Sequence, residues 1–475
     1  MTDIWRLGIA ELGSAYRVGT LDPIGVLEAC LARIARLDGS LNSIVTLDAA
    51  GARLAAEASA RRWAAGGPLS ALDGIPITVK DNLLVAELRA TWGSQAFADF
   101  VPDADEAPVA RLRAAGAVIV GKTNVPELTL EGYTSNRLFG TTGNPWAPSL
   151  TPGGSSGGAA ASVAAGLVPA AIGTDGGGSI RRPASHTGLV GFKPSIGRFP
   201  RGGGFPETLH DCEVVGTLTR SVADATLLDG VLRGPDSRDP RSALLETRLA
   251  PDPARLRILY MPRFGDAPLD PEVLSATDAA AQTLLDLGHA VDTLPLFFDP
   301  APINEAWRVI GRAGVARAFA QPGSRLPKEA GPSIQAMAVE GQSLPAIAYV
   351  DALAVVADFR RDVAGIFERF DLVFTPSAAA LPWPAAEPFP PAIDGRPAGP
   401  RGHAVYTGWV NVAGHPGVAL PLGVSASGLP IGGQFIGRLG SDADLLAWGA
   451  DVEARLAAGP RWPAMAEEHG ASAPA

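Results

Sequence analysis

Residues 152–195 read PGGSSGGAAASVAAGLVPAAIGTDGGGSIRRPASHTGLVGFKPS. Two glycine-rich turns, each presenting serine, are separated by a run of small residues. The first is Gly153-Gly154-Ser155-Ser156-Gly157-Gly158 and the second is Thr174-Asp175-Gly176-Gly177-Gly178-Ser179. The small-residue run predicts a helix over 157–166, and 167–173 predicts a strand leading straight into the second turn. A helix without bulky side chains lets the two turns lie close together. Glycine accepts φ > 0 and lets the backbone approach a ligand closely. Three glycines before Ser179 can therefore aim several N–H groups at one point, an arrangement suited to an oxyanion. Ser179 beside its own oxyanion hole is the candidate nucleophile. Glycine and serine also make up flexible loops, but the flanking segments read as buried structure.

Outward from this stretch, strands and helices alternate, which argues an α/β fold. Residues 3–18 predict an amphipathic helix. Asp22 reads as an N-cap with Pro23 at the first helical position, and Ile24, Leu27, Leu31 and Ile34 keep helical spacing until Gly39. A further helix is predicted over 48–65. In the segment 74–82, Ile75, Ile77 and Val79 alternate as in a strand, which puts Lys80 at its end. Lysine is almost never fully buried unless paired, so on spacing alone Lys80 is a surface residue or the end of something unusual. A helix is predicted over 105–115 and a buried strand over 117–120. The run GAVIVGKT at 116–123 matches the phosphate-binding loop pattern only formally, because that motif needs exposed N–H groups where this chain has strand residues. Residues 124–144 are turn-rich, and Leu128, Leu130, Tyr133, Leu138 and Phe139 could line a cleft or pack in a core. Later strands are predicted near 256–260, 371–375, 417–422 and 429–437, and helices near 271–287, 303–319, 349–369 and 442–457. The proline-rich stretch 376–402 is long for a connection. It is either a pocket wall or a surface loop.

The chain has 475 residues, of which 47% are apolar and only 19% charged, the balance of a large compact globule. A net charge of −10 argues against nonspecific nucleic-acid binding, which rests on basic side chains neutralising phosphates. Two cysteines, Cys30 and Cys212, make neither a disulfide framework nor a metal cluster. They fit a reducing, cytoplasmic setting. The first residues lack a signal-peptide pattern, and no apolar run reaches spanning length; no membrane partner is expected.

Gly153-Gly154-Ser155-Ser156-Gly157 also fits the G-x-S-x-G elbow of α/β-hydrolases, which requires a strand just before the serine. The preceding Asn144-Pro145-Trp146-Ala147-Pro148 is poor strand material. The six histidines lie in no telling motif and none is spaced for metal ligation. Lys80 remains as a base candidate. A pKa brought from about 10.4 to about 7 means roughly 4–5 kcal/mol of differential destabilisation of the charged form, which burial can supply.

At this point the motifs converge. GIPITVKDN at 74–82, GKTNVPE at 121–127, FGTTGNPW at 139–146, PGGSSGGAAA at 152–161, GTDGGGSIRRPA at 173–184 and GLVGFKPSIGR at 188–198 resemble the amidase signature family, as do NVAGHPGVALPLG and GLPIGGQFIG nearer the C-terminus. The resemblance covers nearly the whole chain. It implies one large α/β domain with a central mixed sheet covered by helices on both faces. N-terminal helices (1–65) would pack on a signature domain (66–460, catalytic core about 70–230), followed by a tail (461–475). It further implies a Ser-cisSer-Lys triad of Ser179 as nucleophile, Ser155 as bridge with a cis bond to Gly154, and Lys80 as base. Gly176, Gly177 and Gly178 would form the oxyanion hole with the Ser179 amide, Thr129 and Leu130 would face the acyl pocket, and Arg181 would pair with Asp175. Gly176 departs from the family, where many members carry a larger residue, and is expected to loosen the loop or widen the pocket mouth. The implied activity is cofactor-free and metal-free hydrolysis of amides, extending to aryl amides, carbamates and esters. The partner is a small-molecule amide or carbamate, and a homodimer is allowed. The alternative is the glutaminase-type component of a tRNA-dependent amidotransferase complex. That component usually shows Lys-Pro-Thr-Tyr-Gly-Arg-Val-Ser where this chain has Lys193-Pro194-Ser195-Ile196-Gly197-Arg198-Phe199-Pro200, closer to free-standing hydrolases.

Overall fold

Strand Pro76–Lys80 is buried along its whole length. A strand covered on both faces belongs in parallel sheet, and this one pairs in parallel with Val118–Thr123 on one side and Ala170–Asp175 on the other. The computed structural model, which describes residues 3–243, 246–247, 255–456 and 462–467, builds outward from there. Among the described residues eleven strands form one sheet. Their spatial order is Ile44–Leu47, Val118–Thr123, Pro76–Lys80, Ala170–Asp175, Val214–Thr219, Val190–Lys193, Gly417–Val424, Pro430–Gly437, Leu372–Pro376, Arg257–Tyr260 and Ala290–Thr293. Its middle is antiparallel and parallel pairs lie toward both ends, so the sheet is mixed as expected.

Side chains alternate between two cores. Ile77, Val79, Ile119 and Ile172 face one cluster, which receives Ile9, Leu12, Val109, Leu228 and Trp448 from helices. Val118, Val120 and Ala171 face the other, with Leu27, Leu31, Ala159 and Val163. Helices thus cover both faces. Within the first core Phe435 stacks on Phe374 at 4.5 Å and meets Trp448 edge-on at 5.0 Å.

Several local expectations hold. Asp22 caps helix Pro23–Leu41 by accepting from the amides of Ile24 and Gly25 at 2.9 and 3.0 Å. Others differ for physical reasons. The run expected over 3–18 splits at Gly8, whose amide donates to Glu11 to start helix Ile9–Val18. Helix Pro23–Leu41 passes through Gly39 and stops at Asn42, which adopts φ +53°; one glycine costs a helix only about 1 kcal/mol. The short strands Ile44–Leu47, Val190–Lys193, Val214–Thr219 and Ala290–Thr293 escape a sequence reading because four to six residues carry little periodicity. Of the stretch 461–475, residues 461 and 468–475 lie outside the described residues, as does 457 of the helix expected to end there. Among the described residues no single helix is long and apolar enough to cross a membrane.

Phe435→Ala removes a fully buried ring from the centre of this core. It should lower stability by about 3–5 kcal/mol, read as a shift of the urea midpoint.

Candidate active site

Parallel neighbours end at the same edge of a sheet, so Lys80 and Asp175, the last residues of their strands, emerge side by side. The first glycine turn crosses this edge. A Cβ on Gly154 would sit within 2.8 Å of the Tyr133 backbone, so only glycine fits there. The Gly154–Ser155 bond is cis. Helix Gly157–Ala164 follows and packs on Pro76–Lys80 and Ala170–Asp175 through small side chains.

Lys80 and Ser155 come together, and Ser179 is tied to the same turn through its backbone. Lys80 is wholly buried. Its Nζ lies 2.8 Å from Ser155 Oγ, 2.8 Å from Thr174 Oγ1 and 3.2 Å from the Thr174 carbonyl. The same carbonyl accepts from Ser156 Oγ at 3.1 Å, and the Ser156 amide donates to the Ser179 carbonyl at 3.1 Å. Burial pushes the Lys80 amine down to about 7, against the pull of the Glu213 and Asp175 carboxylates. Glu213 is anchored by Arg201, which also donates to buried Glu106 at 3.1 Å. Asn82 bridges inward, donating to Thr174 Oγ1 at 3.0 Å.

The second turn is held by one buried carboxylate. Asp175 accepts from the amides of Gly178 at 2.6 Å and Ile180 at 3.1 Å. It also pairs with the Arg181 guanidinium through two bonds of 3.0 Å, the pairing expected from sequence. Burial alone would raise the Asp175 carboxyl, but Arg181 holds it far below the usual range. Arg181 continues to Gln434 at 2.7 Å and Asn411 at 2.6 Å, tying the turn to strand Pro430–Gly437 and helix Gly408–Ala413. Gly178 takes φ +107°, and a Cβ there would collide with Thr407. Two expectations for this loop are corrected. The Gly178 N–H is already committed to Asp175, so it is not a free oxyanion donor. The space a larger residue would fill at Gly176 is taken by Leu209, whose Cδ1 would lie 2.6 Å from a Cβ at that position. The loop is therefore packed rather than loosened.

Arg182 fastens the two turns to each other. It donates to the Gly177 carbonyl, to the Gly154 carbonyl at 3.1 Å and to Thr407 Oγ1 at 3.0 Å. Burial, then the nearby charge of Arg401, pushes its guanidinium down to about 9.

Ser179 faces a small chamber whose walls include Thr129, Leu130, Gly176 and Gly177. Thr129 accepts from the Trp92 indole at 3.3 Å. The chamber shares Leu130, Glu131, Arg182, Trp307 and Arg401 with a cavity of about 740 Å³. Phe264, Trp409 and Val412 give that cavity an apolar body, and Pro388, Phe389 and Pro400 bring in the proline-rich stretch as a wall. Of the other apolar residues weighed for a cleft, Tyr133 lines it. Leu128 is instead in a core cluster with Trp92 and Val315, and Phe139 lies under Arg89. Sequence reasoning missed Thr174, Arg182, Glu213, Trp307 and Arg401. Thr174 and Arg182 stand within the GTDGGGSIRRPA motif, where the second arginine is a legible sign; Glu213, Trp307 and Arg401 stand in stretches without a motif.

The family model described as amidase matches residues 25–446. The A-type component of the Glutamyl-tRNA(Gln) amidotransferase of Chloroflexus aurantiacus (strain ATCC 29366 / DSM 635 / J-10-fl) is 34% identical, with 96% of this chain and 98% of that protein covered. A bacterial aryl acylamidase of the amidase signature family superposes with a TM-score of 0.87 at 29% identity, over 97% of this chain and 98% of that one. The peptide amidase of Stenotrophomonas maltophilia superposes with a TM-score of 0.82 at 29% identity, over 96% and 99%. The chain belongs to the amidase signature family. It is an amidase, a hydrolase acting on carbon–nitrogen bonds.

Asp175→Ala strips Arg181 and two loop amides of their shared acceptor. Breaking a buried pair this way typically costs about 3–5 kcal/mol, so chemical denaturation should show a loss of that size.

Proposed function

We propose that this amidase works through an acyl-enzyme on Ser179, with Ser155 carrying protons between Ser179 and Lys80. The observation that carries the reading is the buried Lys80 amine, 2.8 Å from Ser155 Oγ and brought down to about 7. A neutral amine there accepts the Ser155 proton as Ser155 takes one from Ser179. Ser179 Oγ attacks the amide carbon. The amides of Gly176, Gly177 and Ser179 receive the oxyanion; loss of one such donor typically costs about 3–4 kcal/mol. Ser155 returns the proton to the leaving amine, and water then clears the acyl group. Thr129 and Leu130 flank the acyl portion. The aromatic cavity supports substrates with a large apolar part, aryl amides and carbamates among them. The buried free cysteines fit a reducing compartment such as the cytoplasm.

A second reading follows from the relative at 34% identity over nearly both chains: a glutaminase component that releases ammonia from glutamine when assembled with partner proteins. The two readings separate on the isolated chain. Turnover of an anilide, an aryl carbamate or a simple primary amide by the chain alone supports the free-standing amidase. Glutaminase activity appearing only with the partner proteins supports the other.

Ser179→Ala should abolish amine release and the acyl-enzyme mass adduct; retained turnover would overturn the triad. Because protonated Lys80 cannot accept a proton, kcat/KM should rise about tenfold per pH unit below about 7 and level off above it. Glu213 favours the charged lysine, so Glu213→Gln should move that limb to lower pH. Lys80→Ala should cost about 10²–10⁴ in kcat, the usual range for a general base.

A further inference from the structure

The chamber around Ser179 is lined by two arginines, Arg182 and Arg401, and by two carboxylates, Glu131 and Glu213. Of the arginines lining the adjoining cavity, Arg308 pairs with Glu305 at 2.7 Å and Arg312 with Glu340 at 2.6 Å. Arg182 spends its donors on carbonyls and a hydroxyl. Arg401 differs from all of these. Its guanidinium lies over the Trp307 ring at 4.3 Å, and among the described residues it has neither a hydrogen bond nor an ion pair. Its side chain is exposed and opens onto the cavity, with enough protein around it to push the guanidinium down. Its Nη2 would be 3.4 Å from a Cβ on Gly177, so it stands directly over the oxyanion loop. Trp307 is itself fixed there by donating to the Gly176 carbonyl at 3.3 Å. The cationic face is thus mounted on an anchored ring beside the reacting centre, with the donors of its planar fork free.

The electrostatics agree with this placement. Burial and then Arg401 lower the Arg182 guanidinium, while burial, Arg182 and Arg401 together hold neutral the nearby His403. Glu131, a carboxylate in the same chamber, favours the charged form of Arg401 from a distance, but it makes no ion pair with it and accepts only a 3.5 Å bond from Ser333. Glu213 is already engaged by Arg201. An anion entering the chamber would therefore meet a pre-oriented guanidinium that makes no direct ion pair, with a second one behind it.

Resting on the acyl-enzyme reading above, we propose that Arg401 is a specificity residue that binds a carboxylate on the acyl portion of the substrate, so that the preferred substrates are half-amides of dicarboxylic acids or amides otherwise carrying an acyl-side carboxylate. The acyl side is indicated because Thr129 and Leu130 line the same chamber as Arg401. A carboxylate matches the guanidinium fork with two parallel hydrogen bonds. The aromatic walls of the cavity leave room for the rest of the acyl chain.

The test uses glutaramate, its neutral isostere 5-methylhexanamide and the cationic 5-aminopentanamide. The wild-type chain should favour glutaramate over 5-methylhexanamide by tenfold or more in kcat/KM, and 5-aminopentanamide should be the poorest of the three. Arg401→Gln should cut the anion preference at least tenfold, Arg401→Lys should keep part of it, and Glu131→Gln should raise it. A wild-type chain indifferent to charge, or an Arg401→Gln ratio equal to wild type, would overturn the proposal. Calorimetric binding of glutarate to the Ser179→Ala protein adds a readout that needs no turnover. Glutarate should bind that protein and lose at least tenfold in affinity when Arg401→Gln is added, whereas unchanged affinity would sink Arg401 recognition. Failure of the Ser179 chemistry leaves this binding result standing. Hydrolysis of 5-methylhexanamide that Ser179→Ala abolishes, with no charge preference, would overturn only the carboxylate assignment.

Discussion

The buried pair between Asp175 and Arg181 is the constraint on which the site depends. A carboxylate taken out of water is tolerable only when its oxygens are fully bonded, and Asp175 achieves this by collecting Arg181 together with the amides of the loop it precedes. Satisfying that charge and shaping the loop are therefore one event. Arg181 passes the constraint on to Asn411 and Gln434, more than 200 residues away in sequence. The N-terminal half supplies the residues proposed to react, and a C-terminal helix and strand hold the loop in place.

Burial acts in opposite directions on neighbouring groups. Asp175 stays charged because Arg181 touches it, whereas Lys80 has only hydroxyls and a carbonyl within hydrogen-bond reach and loses its advantage as a cation. Arg182 lies between these cases. It stays buried on carbonyl and hydroxyl acceptors alone, and the guanidinium of Arg401 adds to its discomfort. The edge of the sheet thus sorts basic groups by their partners, one brought down to about 7, one fully paired and one held by dipoles.

Much of this was legible in the chain. The alternation of Ile75, Ile77 and Val79 placed Lys80 at a strand end, and the glycines bracketing 152–179 placed both serines in turns. What spacing could not say was that Lys80 is enclosed, because enclosure comes from Thr174 and from the strand beside it. The Gly178 amide looked free for the same reason: a glycine run announces donors but not which of them the neighbouring carboxylate takes. Arg401 and Trp307 were illegible because they meet only in three dimensions, one in a proline-rich loop and the other in helix Pro300–Phe319. Short edge and central strands were lost through brevity, while the long helices were read to within a few residues.

Of Lys80, Ser155 and Ser179, Ser179 alone lines the chamber. Lys80 touches Ser155 and Thr174, and the hydroxyls of those two residues are the groups beside it that can both give and take a proton. Chemical visibility and chemical consequence are consequently separated. An electrophile entering from the cavity encounters a hydroxyl and never the amine behind it. Amine-directed labelling would pass over Lys80 in the native chain and find it only after unfolding, when it becomes an ordinary lysine.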